Sequence, residues 1–338
     1  MRPELPSDPL ISLIAPAYNE EENLPEFVRR VAAVMGEAGL RYEIVFINDG
    51  STDGTLAVME ALRAKYETIT VVNLSRNFGK EIALTAGIAH GAGDAQVIID
   101  TDLQHPPELI PEFVRQWRAG FDVVYAQRTA RDGESWLKKA TSKWFYDVAA
   151  QLGPVPLPKN VGDFRLISRR VAAALLRLPE HHRVMKGLFA WVGYPQTAVP
   201  YHQEARFAGV TKWNYWKLWR LAVEGITSFT IAPLTLATYL GLMVAAVAIL
   251  YGGVTIVKTL LFGEAVRGYP TMMVTMLFLG GTQLFVTGVI GEYLGRIFNE
   301  TKGRPLYLVE SAAWSQAVVA KAARPLSPEL GEATRELA

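Results

Sequence analysis

Two carboxylates two residues apart, Asp100 and Asp102, follow the apolar run Ala95–Ile99. If that run is a buried strand, the two side chains leave its carboxyl end on the same side, because alternate strand residues share a face. They then sit where open α/β sheets bind ligands. Two hard oxygen ligands so placed suit Mg²⁺ or Mn²⁺ held together with the phosphates of a nucleotide. An Asp-x-Asp pair also occurs in solvated turns, so the preceding strand is what gives this one meaning. A second cluster, Asn48-Asp49-Gly50-Ser51-Thr52-Asp53-Gly54-Thr55, closes the apolar run Tyr42–Ile47. Gly50 and Gly54 permit a tight turn, and Ser51 or Thr52 can cap the helix that follows. The first apolar run ends in Pro16-Ala17-Tyr18-Asn19-Glu20, so three neighbouring strand ends would bring a ring and several carboxylates to one crevice.

The elements that must position these groups alternate from Leu10 to about Gln127. Short apolar runs at Leu10–Ala15, Tyr42–Ile47, Ile69–Leu74, Ala95–Ile99 and Asp122–Ala126 read as strands buried on both faces, with amphipathic helices between them. This pattern predicts an α/β domain with a mainly parallel, Rossmann-like sheet. The first helix has Asn23 as its expected N-cap with Glu26 three residues on, and places Phe27, Val28, Val31, Val34 and Met35 on one face. The helix after Pro107 turns Leu109, Ile110, Phe113, Val114 and Trp117 inward. Beyond Ala126 the regularity weakens through a basic, aromatic segment at Ser135–Gln151 and a proline-rich break at Pro154–Pro158; a helix near Ser168–Leu178 and a strand near Thr197–Tyr201 are expected to close the domain.

The chain has 338 residues, a formal net charge of +1 and no cysteine. Length alone allows a catalytic domain plus a smaller region. Near-zero charge argues against a nucleic-acid partner, and the lack of thiols excludes disulfide frameworks, cysteine nucleophiles and thiolate metal sites. The start, MRPELPSDPL, does not read as a signal peptide, so the N-terminal part is expected to stay in the cytosol. Gly225–Val257 and Gly268–Gly291 contain no charged residue, and each exceeds the ~20 residues needed to cross a hydrocarbon core. Ahead of them, Trp213, Tyr215, Trp216 and Trp219 alternate with Lys212, Lys217 and Arg220, a composition suited to a helix lying in the headgroup zone. Arg206, Lys212, Lys217 and Arg220 precede the first span and Arg296, Lys302 and Arg304 follow the second, whereas the connecting loop has only Lys258 and Arg267. Both ends are therefore expected on the cytoplasmic side. The predicted organisation is a cytosolic catalytic domain over 1–212, an interfacial segment over 213–228, two transmembrane helices within 229–298 (about 229–257 and 270–297) and a cytosolic tail over 299–338.

The motifs, taken in order, resemble those of the inverting family-two glycosyltransferases of the GT-A fold. They are Pro16–Glu20, Asn48–Thr55, Asn77-Phe78-Gly79-Lys80, Asp100-Thr101-Asp102-Leu103-Gln104-His105-Pro106-Pro107-Glu108, Gly162-Asp163-Phe164-Arg165-Leu166, Arg206–Lys212 and Gly291-Glu292-Tyr293-Leu294-Gly295-Arg296. Within that group the sequence looks like the polyprenyl-phosphate glycosyltransferases, most of all the bactoprenol (undecaprenyl-phosphate) glucosyltransferases, with a more distant relation to dolichyl-phosphate mannosyltransferase. The resemblance runs from about Leu10 to Val309.

That resemblance implies transfer of a hexose, glucose from UDP-glucose first among the choices, to a polyprenyl phosphate at a bacterial inner membrane. Pro16, Tyr18, Glu20 and Asp49 would hold nucleobase and ribose, with Lys80 and Asp100 also on the nucleotide. Asp100 and Asp102, helped by Gln104, would hold the Mg²⁺ or Mn²⁺ that neutralises the leaving nucleoside diphosphate. The attacking group is a phosphate oxygen, already largely ionised at neutral pH because the second pKa of a phosphate monoester is about 6. Strong base catalysis is therefore less necessary than for a sugar hydroxyl, and Asp163 is implied as base or as orienting group for the acceptor. The alternative is that Asp163 pairs with Arg165. Arg128, Arg131, Arg206 and Lys212 are the cations placed to receive the lipid phosphate.

Two other readings compete. A processive polysaccharide synthase shares the sheet and the Asp-x-Asp pair but needs a Gln-x-x-Arg-Trp motif, which the chain lacks. A nucleotide-binding membrane adaptor would use the helices only as an anchor. The sugar stays open among glucose, galactose, an N-acetylhexosamine and GDP-linked mannose, since such choices turn on a few hydrogen bonds that spacing does not reveal. A homo-oligomer is compatible with everything above.

Overall fold

The computed structural model describes residues 6–129, 161–178, 180–181, 183–201, 232–262 and 268–315. The segments read from sequence as Ser135–Gln151, Pro154–Pro158 and Trp213–Arg220 lie outside these residues. The chain divides into two compact units. One takes residues 1–151, 155–214 and 304–338, and the other takes 152–154 and 215–303.

The first unit alternates β1 (Leu10–Ala17), α1 (Leu24–Glu37), β2 (Arg41–Asn48), α2 (Thr55–Lys65), β3 (Ile69–Leu74), α3 (Lys80–His90), β4 (Ala95–Ile98), α4 (Ile110–Arg118) and β5 (Val123–Arg128). It continues with β6 (Val161–Ser168), α5 (Arg169–Leu176), α6 (Met185–Trp191) and β7 (Gln196–Tyr201). The five strands expected before residue 130 are all present, and their apolar character follows from burial: every residue of β3 and β4 is buried, as is every residue of β1 but Pro16. They join one eight-stranded sheet in the order β7-β5-β6-β4-β1-β2-β3-β8. β1 pairs in parallel with β2 and β4, β2 with β3, and β5 with β7; β6 and β8 run against their neighbours. This is a GT-A architecture with a mainly parallel sheet.

The helices pack through the predicted faces. α1 buries Phe27, Val28, Val31, Val34 and Met35, and α4 buries Ile110, Phe113, Val114 and Trp117. Phe27 meets Phe46 of β2 with ring centroids 5.9 Å apart, and Phe113 meets Phe164 of β6 at 4.8 Å. Removing such a fully buried ring costs about 3–5 kcal/mol, so these contacts carry much of the core.

Three expectations need correction. Asn23 does not cap α1 through its side chain; its amide donates instead to Glu20 Oε2, a neighbour in the turn before the helix. The Gly162–Leu166 stretch, in a region where the weakened regularity announces no strand, lies inside β6, where the antiparallel ladder with β4 and β5 supplies backbone partners and buries Arg165. The segment after residue 299, expected as a tail, contains β8 (Val309–Ala313), paired antiparallel with β3. β8 is an edge strand with exposed side chains, so its sequence carries no apolar alternation.

The second unit holds α7 (Ala232–Phe262) and α8 (Tyr269–Thr301), of 31 and 33 residues. Leu234–Val254 and Val274–Thr301 within them are long and apolar enough to cross a bilayer, with mean hydropathies of 2.0 and 1.6. Most of their described large apolar side chains face outward, among them Leu250, Leu260, Phe262 and Leu284, while Ala237 and Val244 are buried. That is the reverse of the sheet unit, where the large apolar residues are inside.

Candidate active site

The carboxyl ends of β1, β2 and β4 converge on one edge of the sheet, as expected of parallel strands joined by helices. β6 adds a fourth contributor by running the other way. Its register pairs Ile98 with Arg165. Carrying that antiparallel register two residues further sets Asp163, near the start of β6, opposite Asp100, just past the end of β4.

The acidic groups meet around one cation. Lys80, the first residue of α3, has its ammonium 2.7 Å from Asp100 Oδ1 and 2.9 Å from Asp163 Oδ2. The Lys80 side chain is half-exposed; the surrounding protein opposes its charge, but Asp100 and then Asp163 outweigh this and hold the ammonium protonated well above the ordinary lysine range. Burial alone would also raise Asp163; Lys80 first, then Lys186, reverse this and hold the carboxyl well below the usual range. Asp163 is thus an ionised group whose other oxygen, Oδ1, is buried without a hydrogen-bond partner among the described residues.

The pairing of Asp163 with Arg165 takes a different form from the one weighed on sequence. Arg165 is buried, donates to the carbonyls of Gly162 (2.8 Å) and Asp163 (3.3 Å), and lies 4.0 Å over the Phe189 ring. Burial brings its pKa down to about 10. Its hydrogen bonds to these two carbonyls grip the backbone that carries Asp163, while the Asp163 carboxylate binds Lys80.

Asp102 is buried, and its Oδ1 accepts the backbone N–H of Gln104 at 3.1 Å. Between them Leu103 adopts φ +60°, an uncommon conformation for a branched side chain that turns the chain back under the site. Asp100, Asp102 and His105 each offer a ligand atom, all within 4.8 Å of one another. His105, whose place in the Asp100–Glu108 motif does not by itself suggest a ligand, joins the two carboxylates. It is buried against Phe164 and Tyr201 (centroids 5.2 and 6.1 Å away), and neither ring nitrogen has a hydrogen-bond partner among the described residues. Burial lowers its pKa, so the imidazole is neutral and able to act as a ligand. Two carboxylates and an imidazole with orphaned nitrogens fit a divalent cation of the Mg²⁺ or Mn²⁺ type. Gln104 follows directly on the same loop.

The other side of the crevice is built from loops that bind one another. Asp49 is buried and accepts the backbone N–H groups of Phe78 (2.7 Å) and Gly79 (3.0 Å), the residues that lead into Lys80. Burial raises its pKa, partly offset by these two bonds. Gly50 takes φ +62° and lies against the backbone of Arg76 and Asn77, where any Cβ would collide. Asn19 N–H donates to Ser51 Oγ, Thr52 N–H to Asn19 Oδ1 and Glu20 N–H to Thr55 Oγ1. Pro16 is half-buried on β1 and Tyr18 is 43% exposed.

Of the four cations assigned to an acceptor phosphate, Arg128 lies at the end of β5 and donates to Tyr201 Oη at 3.3 Å. A Cβ at Gly162 would come 3.4 Å from both Arg128 Nη2 and His105 Nε2, so this glycine keeps room beside the acidic cluster. Arg131, Arg206 and Lys212 lie outside the described residues. Glu81, next to Lys80, carries no signal in the sequence that marks it as part of the site. Its Oε2 accepts Met185 N–H at the start of α6 (3.2 Å), and burial, then Asp163, push its pKa up to about 7.

The chain matches the glycosyl transferase family 2 profile over residues 12–176 and the GtrB C-terminal hairpin profile over residues 232–297. An uncharacterized glycosyltransferase (sll0501) of Synechocystis sp. is 52% identical over 299 residues, covering 88% of this chain and 94% of the relative. The bactoprenol glucosyl transferase of Shigella phage SfX is 48% identical over 301 residues, covering 89% and 99%. Among solved structures, the mannosyltransferase PcManGT from Pyrobaculum calidifontis in complex with GDP-Man and Mn²⁺ is 18% identical and aligns over 85% of this chain and 87% of its own, with a TM-score of 0.46. With near-complete relatives at this identity and an acidic cluster at the carboxyl edge of a GT-A sheet, the chain belongs to the family 2 glycosyltransferases and carries a GtrB-type hairpin over residues 232–297.

Proposed function

We propose that the chain moves a hexose, glucose from UDP-glucose, onto the phosphate of undecaprenyl or a related polyprenyl lipid, with inversion at the anomeric carbon. The observation that carries this reading is the Lys80–Asp100–Asp163 ion bridge beside Asp102 and His105, on a chain 47–48% identical to several bactoprenol glucosyl transferases over 89% of its length. The two long apolar helices support residence in a bacterial inner membrane as a multi-pass protein, with the catalytic unit on the cytoplasmic face.

In this reading Asp100, Asp102 and His105, with Gln104 at hand, hold Mg²⁺ or Mn²⁺. A cation there supplies positive charge against a leaving diphosphate. Pro16, Tyr18, Glu20 and Asp49 form the nucleotide side, and Lys80 faces the phosphates. A lipid phosphate oxygen forms the new bond to the anomeric carbon as the bond to the nucleoside diphosphate breaks. Asp163, kept ionised by Lys80, is a poor proton acceptor while that bridge stands, which favours its orienting role over general-base work. Arg128, Arg131, Arg206 and Lys212 receive the lipid phosphate.

The test is a panel of radiolabelled nucleotide sugars against undecaprenyl phosphate in detergent. UDP-glucose is expected to yield a lipid-linked monosaccharide; a polymer, a different preferred sugar or no product overturns the proposal at that level. Replacing Arg206 or Lys212 by Ala tests the acceptor side. A raised apparent KM for a short, water-soluble prenyl phosphate supports phosphate contact, and unchanged use of it leaves these residues a membrane-docking role.

A further inference from the structure

Four polar groups form a directed chain from the exposed edge of the sheet to the nucleotide loop. Glu310 of β8 accepts Asn73 Nδ2–H at 2.9 Å, Asn73 Oδ1 accepts Asn48 Nδ2–H at 2.8 Å, and Asn48 Oδ1 accepts Ser51 N–H at 3.2 Å. Each amide donates toward Glu310 and accepts from the loop side, so the three bonds polarise one another in one sense. Asn48 and Asn73 are buried, and neither amide can reverse without breaking two bonds of the chain. The carboxylate at one end, which can only accept, and the Ser51 N–H at the other, which can only donate, impose the same direction on both amides.

Glu310 reaches this position through an irregularity in the ladder. β3 and β8 pair Asn73 with Ser311 but Leu74 with Val309, leaving Glu310 as the extra residue of a bulge. A bulge of this kind re-aims a side chain. The surrounding segment is fastened independently of Glu310: Ser75 N–H donates to Leu308 O, Ser315 N–H to Thr70 Oγ1, and Trp314 stacks on His90 with centroids 5.5 Å apart. β8 can therefore stay docked when Glu310 is changed.

At the far end, Ser51 carries more than one duty. Its N–H closes the turn on Asn48 while its Oγ accepts Asn19 N–H, and Asp49 between them holds the Phe78–Gly79 backbone ahead of Lys80. Orienting Asn48 thus sets the loop that joins all three donor-side segments.

We infer that Glu310, although it lies after the helical hairpin, is a positioning residue of the donor site, fixing the Asn48–Ser51 loop through Asn73. The inference rests on the nucleotide-binding role proposed above for that loop. The full-length protein in detergent, titrated with UDP by calorimetry and assayed for transfer, tests it. Glu310→Ala should weaken UDP binding and raise the donor KM about five- to tenfold, the effect of losing one well-placed hydrogen bond, with kcat nearly unchanged. Glu310→Gln, whose amide oxygen still accepts from Asn73, should restore most of the affinity. Hydrogen exchange at residues 48–52 should rise in the Ala variant without any nucleotide present, while the melting temperature moves little. UDP binding in Glu310→Ala equal to that of the wild type overturns the inference alone. Equal losses in the Ala and Gln variants, together with a fall in melting temperature, reduce Glu310 to strand docking and also overturn it. A wild-type protein that binds no UDP sinks the donor reading itself and this inference with it.

Discussion

The two sides of the catalytic crevice are built on opposite terms. On the loop side, formed by residues 16–20, 48–55 and 76–79, backbone N–H groups find side-chain acceptors and side chains find backbone, as with Asp49 on Phe78 and Gly79 or Asn19 on Thr52. On the acidic side, around Asp100, Asp102, His105 and Asp163, carboxylates crowd one lysine, and Asp163 Oδ1 and both His105 nitrogens are left without hydrogen-bond partners among the described residues. Buried polar groups in this state are costly for folding. The loop side is where the protein gains rigidity, and the acidic side is where it keeps unsatisfied capacity for a ligand.

This contrast breaks most sharply at Asp102. Asp102→Asn should cut transfer by on the order of a thousandfold, the scale on which charge stabilisation of a leaving group operates, while thermal stability stays level or rises. Mn²⁺ titration of the purified variant checks the cause: binding should be lost, and retained binding with retained transfer would contradict the assignment. Asp163→Asn should follow, lowering kcat roughly a hundredfold with UDP affinity within about twofold, as for a group acting mainly in the transition state. A parallel loss of UDP affinity would make Asp163 part of the binding scaffold.

On the other side the signs should reverse. Asp49→Ala strands two backbone N–H groups and removes a residue of the nucleotide side, so it should cost about 1.5–3 kcal/mol of stability by denaturant titration and weaken UDP binding as well. If its stability matched the wild type, the division between the two sides would fail. The smallest effect concerns Glu81, whose carboxyl is raised to about 7 by burial and by Asp163. The folded protein holds that proton more tightly than the unfolded chain does, so the stabilisation is complete below the ordinary glutamate range and is lost as pH rises through about 7. Melting temperatures measured between pH 5 and 8 should fall in the wild type by a few degrees more than in Glu81→Gln.

Sequence patterning reached the loop side and half of the acidic side. β1 to β5 announce themselves because each is a short apolar run buried on two faces, and Asp100 and Asp102 follow one of them directly. β6 hides because Asp163 and Arg165 interrupt its apolar pattern; the guanidinium is buried through two carbonyls and the Phe189 ring, a solution that only the tertiary structure provides. The Lys80–Asp163 bridge joins residues 83 positions apart through an antiparallel register, and nothing local encodes that. His105 stood in plain view three residues after Asp102, but its burial and its missing partners are properties of the fold. β8 was illegible for the opposite reason, since backbone pairing alone defines it.

The position of β8 also has a consequence for how the protein is made. Its partner β3 ends at Leu74, whereas β8 ends at Ala313, so the sheet cannot close this edge until about 240 further residues have left the ribosome. At ~5–20 residues per second, that is a delay of tens of seconds. During it, the nascent catalytic unit presents the open edge of β3, a template for mispairing with other chains. The edge is sealed only after both hairpin helices have been synthesised, and Glu310 arrives with that seal. A polypeptide cut short within the hairpin would therefore carry the whole acidic cluster and still be an incomplete enzyme with a sticky side.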